Sequence, residues 1–76
     1  MSNWIKIERD SSGLATEKCL LHIARSIPVI VTDVYDGEIT ETWIVQDNGY
    51  VDAWLNDIKT NPNRFTHYMP ITLPQL

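Results

Sequence analysis

The sequence predicts a small α+β domain in which one or two short helices pack on one face of an antiparallel sheet of three to four strands. Three observations lead to this fold class. An Asp36-Gly37 pair separates two β-branched runs, apolar residues recur at helical spacing around Leu20, and the chain closes with an extended segment interrupted by prolines. With 76 residues, the chain is expected to form a single domain, 1–76, close to the lower size limit for one core.

The first two elements are predicted to be a strand and a helix. Asn3 to Glu8 alternates polar and apolar residues, which indicates a strand with one face inward. Apolar residues then recur at i, i+3, i+4 and i+7, at positions Leu20, Ile23, Ala24 and Ile27. This spacing predicts a helix over about 15–26, with Thr16 as its cap and Pro28 as its end.

The middle of the chain predicts a central β-hairpin. The Asp36-Gly37 pair supplies the two positive-φ positions of a type I′ turn. Counting back from the turn pairs Tyr35 with Glu38, Val34 with Ile39, Thr32 with Glu41 and Ile30 with Trp43. The expected core side of the hairpin carries Ile30, Val34, Ile39 and Trp43. The opposite side is expected to carry Asp33, Thr40 and Thr42.

The last third of the chain is predicted to add a helix or a strand, and then a closing strand. Residues 50–59 have apolar spacing that favours a helix, and a third hairpin strand is the open alternative. Residues 64–69 are predicted as the last strand. Because prolines follow, residues 65–74 are expected to run as an extended edge segment near Trp4-Ile5, contributing Phe65, Met69 and Ile71 to the core.

Composition excludes several classes of function. Ten acidic against six scattered basic residues give a net charge of −4, which disfavours binding to nucleic acid, and the acidic residues form no run that would mimic it. Apolar stretches are far shorter than the ~20 residues that span a bilayer, so no membrane contact is expected. A single cysteine and the lack of a leader pattern predict a cytoplasmic protein. No Gly-rich phosphate loop is present, so no cofactor is expected.

The closing motif carries a resemblance to a known family. Trp4-Ile5, the strand Val29 to Asp33 leading into the turn, Trp43, and above all Thr66-His67-Tyr68-Met69-Pro70-Ile71 followed by Leu73-Pro74 are similar to the family called domain of unknown function 551. Members of that family typically close with Thr-His-Trp-Met-Pro-Leu-Pro, and many occur in tailed phages and prophages. This chain has Tyr68 in place of the usual tryptophan, and its predicted helix replaces a short loop. The resemblance implies a phage origin and no particular activity.

Six residues are candidates for a binding surface: Trp4, Tyr35, Arg64, His67, Tyr68 and Met69. His67 has two interpretations. It could donate to a backbone carbonyl and hold the tail against the first strand, or it could line a ligand pocket with Trp4 and Trp43. Cys19 and His22 have the spacing of half a metal site, but a structural zinc site needs four ligands, so a buried thiol and a surface imidazole are expected instead.

Two functions are compatible with these residues, and neither is enzymatic. The first is a phage-type accessory protein that binds a host protein, such as one that acts in defence, and inhibits or redirects it. The alternative is a homo-oligomeric sponge that sequesters a small nucleotide-type signal, with Lys6, Arg9, Arg25 or Arg64 neutralising its phosphate.

Overall fold

The protein forms a four-stranded antiparallel sheet with two helices, which confirms the predicted fold class. The computed structural model describes residues 3–72 and 74. The elements, in chain order, are β1 (Ile5–Lys6), α1 (Glu17–Ser26), β2 (Val29–Tyr35), β3 (Glu38–Val45), α2 (Val51–Thr60) and β4 (His67–Pro70). The strand order across the sheet is β1-β4-β2-β3.

Both helices lie where helical spacing predicted apolar stripes. The Thr16 hydroxyl caps α1 by accepting a hydrogen bond from the Cys19 N–H at 3.3 Å, and Glu17 stands in the first turn, where a carboxylate is favourable. Residues 51–60 are helical, which decides between the two alternatives left open for this segment. The first strand is shorter than the predicted one, with only Ile5–Lys6 in the ladder.

The hairpin turn is as predicted, but the register beyond it is not. Asp36 and Gly37 both have positive φ, at 53° and 78°, and the pairs nearest the turn are the predicted ones. A bulge then places one extra residue, Thr40, in β3. The remaining pairs shift by one residue, and they are Asp33 with Glu41, Thr32 with Thr42, Val31 with Trp43, Ile30 with Ile44 and Val29 with Val45. The predicted Thr32–Glu41 and Ile30–Trp43 pairs are therefore wrong.

The core lies on the face of the sheet that both helices cover. Its buried residues come from every layer: Ile7, Ala15, Cys19, Ile23, Val29, Val31, Val45, Ile58, Phe65 and Tyr68. Trp43 packs against this cluster as predicted. Ile30 and Val34 alternate with Val29, Val31 and Asp33 along β2, so they belong to the opposite face, and their predicted place in the core is wrong.

The closing segment is extended, as predicted, but it is not an edge. Strand β4 lies between β1 and β2, with Tyr68 opposite both Ile5 and Val31. Pro70 ends the strand, where its missing N–H costs no hydrogen bond within the ladder.

Phe65 has a positive φ of 58°, which breaks the alternation of side chains and turns the Phe65 ring into the core. Met69 lies on the other face with His67, so its predicted core role is wrong. The end of the closing motif at Leu73 lies outside the described residues.

Candidate binding surface

The face of the sheet opposite the helices is the most extensive candidate surface. Residues paired across strands point to the same side of a sheet, so the register decides which side chains share this face. We call it the open face and define it by Lys6, Ile30, Thr32, Val34, Ile39, Thr42, Ile44, His67 and Met69. None of these nine residues belongs to the core cluster or to the partly buried apolar residues that pack against it.

Apolar side chains dominate the open face. Ile30 lies opposite Ile44 on one side and Met69 on the other, and Val34 lies opposite Ile39. Ile39 and Ile44 are each 54% exposed. None of the ten acidic residues stands at a position of this face, and its only charged or titratable members are Lys6 and His67. An apolar surface with few charges is typical of the centre of a protein interface.

A polar row crosses the same face and is satisfied internally. Thr32 is fully buried in the central strand β2, and its hydroxyl donates to the Glu41 carbonyl at 2.7 Å, with the Thr42 hydroxyl 3.2 Å away. In the next strand, the His67 Nδ1 and the Thr66 hydroxyl are 2.8 Å apart. Because these polar groups are hydrogen-bonded within the chain, covering the face leaves few groups without partners.

Two of the predicted binding residues, His67 and Met69, belong to the open face. Both are half-buried, and His67 lies opposite Lys6 on β1, so the tail and the first strand are neighbours as expected. The predicted pocket shared by His67 and Trp43 is wrong, because Trp43 points to the covered face while His67 points to the open one. Trp4 is half-buried directly before β1.

Tyr68, the third predicted residue of the closing motif, faces the core. Its hydroxyl is 2.5 Å from the His22 Nδ1 on α1, and the two rings meet edge to face. Burial raises the pKa of the Tyr68 hydroxyl above its ordinary value, with further contributions from Cys19 and Glu8. The Cys19 thiol is buried and His22 is exposed, which confirms the expected roles of this pair. Tyr68 therefore ties β4 to α1.

Arg64 and Tyr35 stand at the rim of the covered side. The Arg64 guanidinium lies 5.2 Å from the Trp43 ring centroid and 3.6 Å from a Glu41 carboxylate oxygen. Phe65 follows Arg64, and its N–H donates to the Asp33 carboxylate. Tyr35 ends β2 at the hairpin tip, where it is 71% exposed. Five of the six predicted binding residues thus fall on three different parts of the molecule, and Trp4 lies directly before β1.

Arg9 has a structural role that the sequence did not indicate. Its two terminal nitrogens lie within hydrogen-bonding distance of six backbone carbonyl oxygens, in the loop before α1, at the end of α2 and in the loop before β4: those of Gly13, Ile58, Lys59, Asn61, Arg64 and Phe65. Burial lowers the pKa of Arg9 from its ordinary value. A positive charge at the carboxyl end of a helix is also favourable. This guanidinium is engaged within the chain, which leaves it poorly placed to bind a phosphate.

Among residues 3–72 and 74, no group of three or more His, Cys, Asp or Glu side chains is placed to hold a metal ion. Neither of the two helices described is long and apolar enough to cross a membrane.

Comparisons with known proteins found no relative. No protein-family model, no curated protein and no solved structure matches this chain. The resemblance to domain of unknown function 551 therefore stays a prediction, and the proposed function depends on the geometry of the chain itself.

Sequence reasoning missed the apolar residues that β2 and β3 contribute to the open face. Ile30, Val34 and Ile39 were expected to be inside, and Ile44 was not singled out. One signal was available. Val29-Ile30-Val31 is an unbroken apolar run, and such runs indicate a strand with apolar side chains on both faces.

Proposed function

We propose that this chain is a small accessory protein of phage or prophage type that binds a host protein through the open face and inhibits or redirects it, without catalysing a reaction. The supporting observation is the open face itself, an apolar sheet surface with two isoleucines more than half exposed and no carboxylate. The phage setting is supported by the resemblance of the closing motif alone.

The charges of the open face favour a different protein over a second copy as its partner. Lys6 and His67 stand together on the β1 side of the face, and no acidic side chain of the face could pair with them. A second copy packed face to face would bring a second Lys6 ammonium and no carboxylate of the open face. We therefore expect the partner to present an apolar surface with an acidic residue near Lys6.

The test compares one substitution on the open face with a matched one on the helix side. Ile44 on β3 and Leu21 on α1 are exposed to similar extents, 54% and 50%. The purified wild type, Ile44→Asp and Leu21→Asp are immobilised and exposed to lysate of a candidate host, after melting curves have shown that all three are folded. We expect one stoichiometric partner that binds the wild type and Leu21→Asp, and binds Ile44→Asp about tenfold more weakly or worse.

Two results would contradict the proposal. Equal capture by Ile44→Asp and the wild type would remove the open face from the partner surface. A wild-type dimer seen by light scattering, and broken by Ile44→Asp alone, would assign the open face to a second copy of the chain.

A further inference from the structure

The outer edge of β3 is a strand whose backbone has no partner in the described chain. Strand β3 ends the sheet, and it is eight residues long, whereas β1 at the opposite edge has two residues. From Glu41 to Val45 the pairing of β3 with β2 is regular, because the bulge lies closer to the turn. On the outer side of such a strand, alternate residues direct N–H and C=O groups away from the sheet. These groups are a template for one more strand.

The charged residues of β3 indicate which kind of strand would pair with its outer edge. Every charged residue of β3 and of the turn before it is acidic, and these residues are Asp36, Glu38 and Glu41. A second copy of the chain would bring another acidic edge against this one. A basic segment would bring complementary charge.

The side of β3 that faces the helices already holds a cation. The Arg64 guanidinium lies over Trp43 and beside Glu41, two residues that share this side of β3. Both members of the Arg64–Glu41 pair are largely exposed, so the pair is weak and an incoming cation can replace it. The chain itself therefore shows the contacts that a lysine or arginine would make here.

We infer that β3 takes up an extended basic segment of the partner protein as a fifth strand, with apolar and basic residues alternating along that segment. Its apolar residues lie beside Thr42 and Ile44 and extend the open face, and its basic residues lie beside Glu41 and Trp43. This inference depends on the proposed function, because it specifies how the partner meets the same sheet.

The direct test uses a synthetic seven-residue peptide of alternating lysine and valine, with an alternating glutamate and valine peptide as its counterpart. Titration is followed by the backbone amide NMR signals of the isotope-labelled protein. We expect the lysine peptide to shift the amide signals of Glu41 to Val45, and to bind about fivefold or more tightly than the glutamate peptide at low salt. Glu41→Lys should reverse that preference. Asp57→Lys makes the same change of net charge on α2 and should alter binding by less than about twofold.

The outcome for the edge can be separated from the outcome for the open face. In the lysate assay, Met69→Gln changes the open face away from β3, and Glu41→Lys changes the edge away from the open face. Loss of capture with both variants supports both proposals. Loss with Met69→Gln alone would overturn strand addition and leave the proposed function standing, and loss with neither would overturn both. Lysine-peptide shifts spread over α2 instead of β3 would likewise overturn the inference.

Discussion

The two faces of the sheet are built from the same strands and similar residues, yet only one of them is core. On β2, Val29 and Val31 are fully buried beneath the helices, and Ile30 between them belongs to the open face. On β3, Val45 is fully buried, whereas its neighbour Ile44 is more than half exposed. Side-chain type does not distinguish the two faces. What distinguishes them is that α1 and α2 share one face, and this leaves the other face without a helix layer.

The largest effect on stability is expected from removing β4, the strand that contributes residues to both faces of the sheet. Truncation after Asn63 deletes β4, which lies between β1 and β2 and carries Tyr68, and it also deletes the buried Phe65. The loss is comparable with the ~5–10 kcal/mol stability of a small domain, so the chain should be unfolded by circular dichroism. A truncated chain that still melts cooperatively near the full-length temperature would show that β4 is dispensable to the fold.

A matched pair of isoleucines measures the difference between the faces directly. Ile58 on α2 is fully buried under the covered face, and Ile44 is largely exposed on the open face. We expect Ile58→Ala to cost about 2–5 kcal/mol of unfolding free energy and Ile44→Ala less than about 1 kcal/mol. Urea denaturation of both variants gives the two values. Similar costs would mean that the open face is also buried in solution, for example by self-association.

Arg9 tests how the helix layer is held against the loops. Arg9→Lys keeps the charge, but an ammonium cannot reproduce the planar guanidinium whose two terminal nitrogens lie among six backbone carbonyl oxygens. We expect a loss of about 1.5–3 kcal/mol in urea denaturation. Arg25→Lys, an exposed change in the last turn of α1, is the control and should stay within about 0.5 kcal/mol of the wild type. If the two variants cost the same, the carbonyl contacts of Arg9 contribute little.

Removing the Tyr68 hydroxyl is expected to have the smallest effect on unfolding free energy, and to change how that free energy depends on pH. Tyr68→Phe removes the hydrogen bond to His22 and should cost about 0.5–1.5 kcal/mol at neutral pH. Because burial raises the pKa of Tyr68 in the folded protein, the unfolded chain loses this proton first as pH rises, so the folded state loses stability from about pH 10 upward.

The wild type should therefore lose stability between neutral pH and pH ~11 more steeply than Tyr68→Phe does. The exposed Tyr35 at the hairpin tip provides the control, and Tyr35→Phe should keep the wild-type slope. Equal slopes for the wild type and Tyr68→Phe would show that the Tyr68 hydroxyl is accessible to water.

The sequence by itself determined the local structure. The spacing of apolar residues and the Thr16 cap specify α1, and Asp36-Gly37 specifies a turn that needs two positive-φ residues. These features depend on neighbours within a few residues, so they can be derived from the order of amino acids alone. The α+β class and the contact of the closing segment with the first strand also followed from the sequence.

The tertiary structure alone decided which face of the sheet is core and which face lies outside the helix layer. A single extra residue at Thr40 shifts the β2–β3 register, and a shift of one residue moves a side chain to the other face. Strand β4 lies between β1 and β2, and both helices lie on one side of the sheet. Both arrangements depend on contacts between residues far apart in the chain. Ile30, Ile44 and Met69 lie on the open face because of this register and this placement of the helices. Their side chains are as apolar as those of the core, and only the position of the helices leaves them uncovered.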